Sequence, residues 1–450
     1  MRVDVIETPD LGDRSYVVSD GAAAVVIDPQ RDLDRVQAAL DDLGVPLAFV
    51  LETHVHNDYV TGGFALARLS GAAYVLSAAD DVTFDRHAVS EGDVLTAGGL
   101  TIEVLETPGH TATHLSYVVR DSATPDAAPA VFTGGSLLYG SVGRTDLLGS
   151  ARTDELTPKQ WRSARRLAEL LPDPSPVYPT HGFGSFCSSG AASGGSDSTI
   201  GAEKQHNDAL TQDDEQAFVD ALVEGLTGYP AYYAHMGPLN AAGPDAADLS
   251  PVEPVDPAEL ARRIRAGEWV VDLRDRTAYA GRHLAGTVSI EGGDQLSTYV
   301  GWLVPWQAPV TLLAESPEQI ADAQRQLLRI GIAPAGAGAG ELDALLPGGA
   351  QSSYPTADFA ELAKTPHAQV LDVRRHDERR HGAIAGSAHI PLDELLDRLD
   401  DVPTGQVWVH CASGHRAGIA ASLLDRAGHP VVHLDDDYEQ AEKAGLTMGA

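Results

Sequence analysis

The sequence predicts an α/β protein in which an αββα sandwich of two sheets is followed by two small parallel α/β domains. Three observations predict this fold. Short strand-like runs mix with helical segments up to about residue 240, a segment with five prolines and no periodicity covers 236–257, and an internal repeat follows. At 450 residues the chain is also too long for one core. We therefore place three domains at 1–240, 255–345 and 354–450.

Composition limits the functions and partners to expect. With 43% hydrophobic and 21% charged residues the chain is globular, and a net charge of −34 argues against nucleic acid or an anionic membrane as a partner. Met1–Ile6 enters an alternating strand pattern directly, and no apolar run approaches the length of a membrane span. The only cysteines, Cys187 and Cys411, exclude a disulfide framework, so we expect a cytoplasmic protein.

The first domain shows clear strand and helix signals. Strands are predicted at Ser15–Val18, Ala24–Ile27, Leu47–Leu51, Tyr74–Leu76, Thr101–Leu105 and Ala130–Thr133. Helices are predicted at Asp34–Leu43, Gly63–Leu69, Leu156–Leu170 and Asp213–Leu226. The third of these helices is expected to be capped at Thr153 or Thr157, with Pro158 in its first turn. Phe183–Gly195 is predicted to be a Gly/Ser-rich loop, and 236–257 an interdomain linker.

Histidines and a carboxylate follow the ends of predicted strands. His54, His56 and Asp58 come directly after Leu47–Leu51, and the spacing of two lets both imidazoles point the same way along an extended segment. His110 and His181 lie in turns marked by Pro and Gly. Imidazole with carboxylate suits zinc or iron better than calcium or magnesium. These five residues are therefore the predicted metal ligands, and the alternative is loop histidines satisfied by hydrogen bonds.

The internal repeat covers the last two domains. Val271–Arg274 and Leu371–Arg374 lie at the same offset as Leu284–Gly286 and Ile384–Gly386. A helical segment precedes each copy, at Pro257–Ala266 and Thr356–Ala363, and a strand, a loop and a helix follow at Val310–Leu328 and Val407–Leu424. The Gly/Ala-rich segment Pro334–Tyr354 is predicted to separate the copies. A small parallel α/β domain is therefore present twice.

The copies differ where chemistry is expected. In the second copy, strand Val407–His410 leads into the loop Cys411–Arg416, and a helix is predicted from Ala417. Backbone N–H groups of such a loop and the following helix N-terminus stabilise a thiolate, a persulfide or a bound anion. Cys411 is thus the predicted nucleophile and Arg416 a source of charge neutralisation. The loop residues Ala412, Ser413, Gly414 and His415 are predicted to bind substrate.

An ordinary strand–helix turn with a small buried cysteine is the alternative for this loop. In the first copy, the corresponding segment Leu313–Pro317 has no cysteine. That copy cannot form a persulfide, and we expect it to be a structural or docking domain.

These motifs resemble two known families. The His-x-His-x-Asp motif with the later histidines resembles the metallo-β-lactamase superfamily, and the repeated unit resembles the rhodanese (sulfurtransferase) domain. In this order they resemble the persulfide dioxygenase–rhodanese fusions. The implied fold is an αββα metallo-β-lactamase-like sandwich followed by two parallel α/β rhodanese-like domains, the first inactive. The resemblance also covers Arg144 in Gly143–Asp146, near the metal site, and the Cys187 loop, which resembles one carrying a persulfide-reactive cysteine.

The resemblance implies a chemistry for both parts of the chain. A mononuclear non-haem iron would oxidise a thiol persulfide to sulfite with O₂, and Cys411 would pass sulfane sulfur to or from thiosulfate or sulfite. The family's iron ligands fall on His54, His110 and Gly135, where an aspartate is expected, so His56, Asp58, His181 or water is left to complete the shell. We therefore expect weak metal occupancy, and expect Gly135→Asp to raise it unless Gly135 has a positive φ.

Two other functions stay open at this stage. One is a sulfurtransferase whose first domain is degenerate and weakly metal-binding or metal-free. The other is a zinc thioester hydrolase of the glyoxalase II kind, although Tyr59 stands where two-metal hydrolases place a histidine. Iron(II) is the expected cofactor with zinc as the alternative, and a homodimer is the expected assembly.

Overall fold

The computed structural model describes residues 1–190 and 195–448, so residues 191–194 of the predicted Gly/Ser-rich loop lie outside the described residues. The chain forms two compact units, Met1–Leu249 with Leu328–Gly331 and Ser250–Leu327 with Ile332–Ala450. Among the helices described, none combines the length and apolar character that crossing a membrane requires.

The first unit contains two sheets. In the six-stranded sheet, which has sequential strand order, the first three strands are antiparallel and the others parallel. Its strands are β1 Arg2–Thr8, β2 Asp13–Ser19, β3 Ala24–Ile27, β4 Leu47–Leu51, β5 Ala73–Ser77 and β6 His87–Val89. The five-stranded sheet has the order β11-β10-β9-β8-β7. Its strands are β7 Val94–Ala97, β8 Leu100–Glu106, β9 Leu115–Asp121, β10 Ala130–Gly134 and β11 Val177–Pro179.

Helices cover the outer faces of both sheets. They are α1 Asp34–Leu43, α2 Gly63–Ser70, α3 Ser150–Leu170, α4 Ile200–His206, α5 Asp208–Thr211, α6 Glu215–Gly225 and α7 Tyr233–Ala241. Between the sheets, Tyr16 and Ile27 pack with Tyr117 and Phe132. Separate apolar clusters join α1 and α2 to the first sheet, and α3 and α6 to the second. The predicted αββα layering is therefore confirmed.

The second unit contains the two repeat copies, each built on a parallel sheet. The first copy comprises α8 Pro257–Arg265, β12 Trp269–Asp272, α9 Arg276–Gly281, β13 His283–Leu284, β14 Val288–Ser289, α10 Leu296–Leu303, β15 Val310–Ala314, α11 Pro317–Arg329, β16 Gly336–Ala339, α12 Leu342–Leu345 and β17 Gln351–Ser352. Its sheet has the order β14-β12-β15-β16, with parallel pairing throughout. β13 pairs with β17 in a small antiparallel sheet.

The second copy repeats this architecture. It comprises β18 Thr356–Ala357, α13 Phe359–Leu362, β19 Gln369–Asp372, α14 His376–Arg380, β20 Ala383–Ile384, β21 Ala388–His389, 3₁₀ turns at Leu392–Glu394 and Leu396–Asp401, β22 Val407–His410, α15 His415–Arg426, β23 Val431–Leu434, α16 Tyr438–Lys443 and β24 Thr447–Met448. The sheet order is β18-β23-β22-β19-β21, again parallel. β20 and β24 form a second small antiparallel pair.

The structure corrects several sequence-based boundaries. Helix α3 begins at Ser150, after Gly149, and Pro158 therefore lies inside it and not in its first turn. The buried face of the helix continues across the proline, from Leu156 to Leu167. The predicted linker 236–257 begins inside α7. The predicted separator Pro334–Tyr354 supplies β16, the edge strand of the parallel sheet in the first repeat copy. Helix α15 begins at His415 rather than Ala417.

Candidate functional site

Three histidines converge because their strands end together. In the second sheet β8 and β10 are both antiparallel to β9, and β11 is parallel to β10, so β8, β10 and β11 run in the same direction. His110 follows β8 and His181 follows β11 at one edge of this sheet, while His54 follows β4 of the first sheet. The two sheets together therefore bring three distant segments to one place.

The ring nitrogens of these histidines lie close together. His54, His110 and His181 are all buried, and each offers one nitrogen within 4.8 Å of the other two. The Nε2 atoms of His54 and His181 are 3.4 Å apart. Nε2 of His110 is buried and has no hydrogen-bond partner among the described residues. An orphaned imidazole nitrogen facing two others is a sign of a metal position.

Oxygen acceptors hold the opposite nitrogen of two of these rings. Nδ1 of His110 donates to the backbone carbonyl of Arg144 at 2.7 Å. Nδ1 of His54 is 2.9 Å from Oγ1 of Thr53, whose own proton goes to the Asp28 carboxylate at 2.7 Å. Thr53 therefore accepts from His54. Both rings are fixed in the tautomer that leaves Nε2 free for a metal.

His181 is held by two carboxylates. Its Nδ1 is 2.8 Å from Oδ1 of Asp13 and 3.1 Å from Oδ2 of Asp58. Burial alone would lower the pKa of His181, but these carboxylates raise it well above its ordinary value. Burial, with neighbouring imidazoles, lowers the pKa of His54 well below its usual range and that of His110 to about 3. Hence His54 and His110 are neutral at pH 7 and can donate a lone pair to a metal, and His181 is the ring that is paired with carboxylates.

His56 belongs mainly to a second buried group. Its Nε2 lies 3.1 Å from Glu52, 3.3 Å from Asp28 and 3.0 Å from the Tyr59 hydroxyl. Burial opposes charge on this ring, yet Asp28 and Glu52 raise its pKa to about 9. Its Nδ1 has no hydrogen-bond partner among the described residues. His56, Asp58 and His181 also each offer one possible metal-ligand atom, and these three atoms lie within 4.8 Å of one another. His56 thus belongs to an ion network with Asp28 and Glu52 that is separate from the pairing of His181 with Asp13 and Asp58.

Gly135 is closed against a side chain. A Cβ there would lie 2.3 Å from Cδ2 and 2.6 Å from Cγ of the His110 ring. Gly143, on the other side, leaves a Cβ only 2.6 Å from Nδ1 of the same ring. The residue with a positive φ is Gly134, at 51°, and not Gly135. The expectation that Gly135→Asp would raise iron occupancy is therefore wrong on steric grounds, because the added atoms need the space of His110.

Arg144 and Cys187 lie beside this site. The Arg144 guanidinium bonds Asp146 through Nε at 2.6 Å and Nη2 at 2.8 Å, and it lies over the Tyr229 ring at 4.5 Å. The backbone N–H of Arg144 donates to the Cys187 carbonyl at 2.8 Å. Cys187 itself is buried, and burial together with Asp58 and Asp13 raises its thiol pKa well above the usual value. The thiol stays protonated at neutral pH, unlike a pre-activated nucleophile.

Several contributors escaped the sequence analysis. Asp13 and Asp28 hold His181 and Thr53, and the Asn240 side chain in α7 donates to the carbonyls of His56 and Tyr59, both at 2.8 Å. His114 accepts from the Gly135 N–H at 2.9 Å. Of these residues, only His114 could be suspected from the sequence, since it follows the predicted ligand His110 by four residues. The others come from remote segments, where no spacing links them to the motif.

These donors fit a metal ion. Three imidazoles, two of them in fixed tautomers and the third backed by two carboxylates, match the ligand types of zinc and non-haem iron sites. His54, His110 and His181 would hold the ion, with Asp58 beside them. The group differs from the two-histidine, one-carboxylate set because its negative charge sits behind His181 instead of at residue 135.

The second candidate site is the turn after β22. Cys411 is buried where the strand ends, and Gly414, with a φ of 84°, begins the N-terminus of α15. The described loop is therefore Cys411–Gly414, and the predicted loop residues His415 and Arg416 are the first two residues of the helix. Ser413 is the exposed residue of the turn, and Ala412 is half-buried. A cysteine at the N-terminus of a 12-residue helix lies in positive potential.

Arg416 is already paired. Its guanidinium donates to both oxygens of Glu378, at 2.6 and 2.7 Å. Burial acts to raise the pKa of Glu378, but the hydrogen bonds and charge of Arg416 lower it overall. Burial and the nearby cations Arg276 and Arg416 lower the pKa of His415 to about 4, so this ring is neutral at pH 7. Glu378 therefore already offsets part of the positive charge that Arg416 is predicted to supply to the Cys411 site.

Comparisons with known proteins match both halves of the chain. The metallo-beta-lactamase superfamily profile matches residues 10–181, and the rhodanese-like domain profile matches residues 356–444. A hydroxyacylglutathione hydrolase of Rhodopseudomonas palustris (strain BisB5) is 34% identical over 194 residues, which are 41% of this chain and 68% of that protein. The mitochondrial persulfide dioxygenase ETHE1 of Mus musculus is 32% identical over 176 residues, which are 38% of this chain and 62% of that protein.

A solved structure extends the likeness beyond the first unit. The crystal structure of a metallo-beta-lactamase from Staphylococcus aureus subsp. aureus COL aligns with a TM-score of 0.67 at 26% identity, over 76% of this chain and 99% of that one. Against several curated hydroxyacylglutathione hydrolases, the chain spans only 60–64% of their length. The activities of these relatives are therefore statements about those proteins.

Proposed function

Because the chain belongs to the metallo-β-lactamase superfamily and carries a C-terminal rhodanese-like domain, we propose that it processes sulfane sulfur. In this proposal a thiol persulfide is oxidised to sulfite with O₂ at a metal centre formed by His54, His110 and His181. Cys411 passes sulfane sulfur between thiosulfate and other sulfur carriers. The observation that carries the proposal is the group of buried ring nitrogens from His54, His110 and His181, which supports a metal-binding role for the first unit.

The transfer step follows from the environment of Cys411. The Cys411 thiolate attacks the outer sulfur of thiosulfate, the new S–S bond forms, and the old S–S bond breaks with its electron pair leaving on sulfite. The product is a Cys411 persulfide anion, so charge and atoms balance. In this proposal the first-turn N–H groups of α15 stabilise this anion, because Cys411 precedes the N-terminus of that helix. Glu378 keeps Arg416 oriented beside the site.

The oxidation site depends on what the chain provides around a metal. An iron(II) ion bound there would supply the centre at which O₂ is activated. His110 and His54 would bind through Nε2, since Arg144 and Thr53 occupy their Nδ1 atoms. Asp13 and Asp58 would keep His181 oriented and electron-rich through its Nδ1. The buried site excludes bulk water, because all three rings are fully covered.

A second candidate has its own observation. Gly135 replaces the carboxylate expected there, and the His110 ring fills the space beside it. This favours a sulfurtransferase whose first unit binds persulfide without oxidising it. The thioester hydrolase of the glyoxalase II kind is less supported, because Tyr59 bonds His56 where a ligand for a second metal would be needed.

One experiment separates these functions. The purified protein is analysed for iron and zinc per chain, and O₂ uptake is followed with glutathione persulfide as substrate. The proposal predicts iron with O₂ uptake, both lost in His110→Ala. Thiosulfate-dependent sulfur transfer without metal or O₂ uptake would favour the second candidate, and zinc with thioester cleavage would contradict both.

A further inference from the structure

The helix that follows the Cys411 turn packs along one face against the cysteine-free copy. The Ser422 hydroxyl accepts a hydrogen bond from the backbone N–H of Ser289 at 3.0 Å, and Asp425 lies 3.1 Å from Nε2 of His283. At Gly418 an added Cβ would lie 3.1 Å from Cβ of Arg276. Positions 418, 422 and 425 are spaced by four and three, which is one helix face. The cysteine-free copy therefore holds α15, whose N-terminus faces Cys411.

A second contact reaches the turn itself. Arg276 of the cysteine-free copy donates to Asp435 at 2.7 Å and to Glu291 at 2.9 Å. Asp435 lies so close to Gly414 that an added Cβ at that glycine would be 2.1 Å from its Oδ1. The last residue of the Cys411 turn thus rests on a carboxylate that the other copy positions.

Tyr299 of the cysteine-free copy lies beside the first residue of α15, next to the Cys411 turn. It lies on α10, a helix with seven of its eight residues buried, and its ring centroid is 5.1 Å from that of His415. Burial raises its pKa to about 12, and charges at Cys411, Arg416, Glu378 and Arg375 also act on its hydroxyl. All of those charged groups belong to the cysteine-bearing copy. The hydroxyl therefore keeps its proton, and the ring that carries it lies against His415, the first residue of α15.

From this arrangement we propose that Tyr299 is a substrate-positioning residue of the Cys411 site, supplied by the copy that has no cysteine of its own. Its hydroxyl donates a hydrogen bond to the anionic leaving group of the sulfur donor, the sulfonate oxygens when the donor is thiosulfate. No proton is transferred, because sulfite leaves as an anion and Tyr299 stays neutral. This inference rests on the proposed sulfur-transfer function and assigns the cysteine-free copy a part in it.

The alternative is that Tyr299 is only a core tyrosine, and the chain offers a matched control. Tyr279 is a buried tyrosine of the same copy whose hydroxyl donates to the Thr287 carbonyl at 2.7 Å. Tyr279→Phe removes the same atom as Tyr299→Phe, but from a ring that stacks on His283, whereas the Tyr299 ring is tilted against His415. A merely structural role would make the two variants alike.

The test is steady-state sulfur transfer from thiosulfate to cyanide in the full-length wild type and both variants. Tyr299→Phe should raise KM for thiosulfate about tenfold, the effect of losing one hydrogen bond to an anion, with kcat changed by less than about twofold. Tyr279→Phe should keep the wild-type KM. The iodoacetamide reactivity of Cys411, located by peptide mass spectrometry, should be the same in all three proteins.

Three outcomes overturn the inference. A wild-type KM in Tyr299→Phe shows that the hydroxyl does not contact the donor. An equal rise in KM in Tyr279→Phe shows a structural effect of the copy as a whole. Transfer that persists in Cys411→Ser refutes the proposed function itself, and this result is recognisable whatever Tyr299→Phe does.

Discussion

The two repeat copies carry the same internal ion pair and differ in the turn beside it. In the first copy, Nε of Arg274 donates to Asp272 at 2.9 Å and Nη2 at 2.7 Å. In the second, Nε of Arg374 donates to Asp372 at 3.0 Å and Nη2 at 2.8 Å. Both arginines also donate to a carbonyl eight residues further along the chain. This pair fixes the end of β12 in the first copy and of β19 in the second.

The copies differ in the turn that follows β15 in the first copy and β22 in the second. β15 leads through Glu315 and Ser316 into α11, whereas β22 leads through the Cys411 turn into α15. The cysteine-bearing copy has an additional arginine on its central aspartate, because Arg379 donates to Asp372 at 3.0 Å. The comparison teaches that the two copies share the residues that build the fold and differ in one turn, where only the second copy places a cysteine before a helix N-terminus.

The sharpest test of this difference removes the cysteine and makes a matched change in the other copy. Cys411→Ser should lower thiosulfate-dependent sulfur transfer roughly a thousandfold or more, because the nucleophile is lost. Ser316→Ala, in the equivalent turn, should leave the rate unchanged. Both are measured as thiocyanate formation at saturating thiosulfate. Sulfur transfer that persists in Cys411→Ser would contradict the proposed difference between the copies, since the cysteine of the second copy would then not be needed for transfer.

The first unit offers a parallel case, in which restoring a missing group should not restore a site. Gly135→Asp should lower metal affinity about tenfold or more, because its Cβ displaces the His110 ring. Gly135→Ala, which adds the same Cβ without charge, should act in the same direction. Metal per chain and the dissociation constant for iron(II) or zinc are the readouts. Higher occupancy in Gly135→Asp than in Gly135→Ala and wild type would show that the ring yields and the carboxylate binds.

The shared ion pair gives the next largest effect. Asp372→Asn leaves two buried or half-buried arginines without their carboxylate and should cost about 3 kcal/mol in the free energy of unfolding. Asp272→Asn leaves one partly buried arginine and should cost less. Denaturant unfolding of the full-length variants measures both values. Equal losses would mean that the additional Arg379 contact contributes nothing.

Most of the framework of both regions was accessible from sequence, and the positions of individual partners were not. The strand ends carrying His54, His110 and His181 are marked by apolar runs and turn residues, so the convergence of these histidines follows from the fold. Asn240 was missed because the prolines around α7 hide a nine-residue helix inside an apparent linker. Asp13 and Tyr299 were missed for another reason. Their roles depend on tertiary packing between segments that no local spacing connects.

The smallest predicted effect is on acid stability, and it concerns the cysteine-bearing copy. Burial lowers the pKa of His410 and of His415 from 6.5 to about 4. The folded state then binds these protons less readily than the unfolded state, so stability falls as the pH drops from about 6.5 to about 4. Each histidine should contribute roughly 1–2 kcal/mol of this loss at pH 5. Thermal unfolding of His415→Gln and wild type at pH 7 and pH 5 should show a smaller pH effect in the variant. An identical pH effect would mean that His415 is already protonated or exposed.

We propose that Cys411, and not Cys187, carries sulfane sulfur in this chain. The most direct measurement is intact-mass and peptide mass spectrometry of the full-length protein after brief exposure to thiosulfate, with excess reagent removed before analysis. We expect the mass of one additional sulfur atom per chain, located on the peptide containing Cys411, and no addition in Cys411→Ser. Sulfur on the Cys187 peptide instead, or on neither peptide, would contradict it.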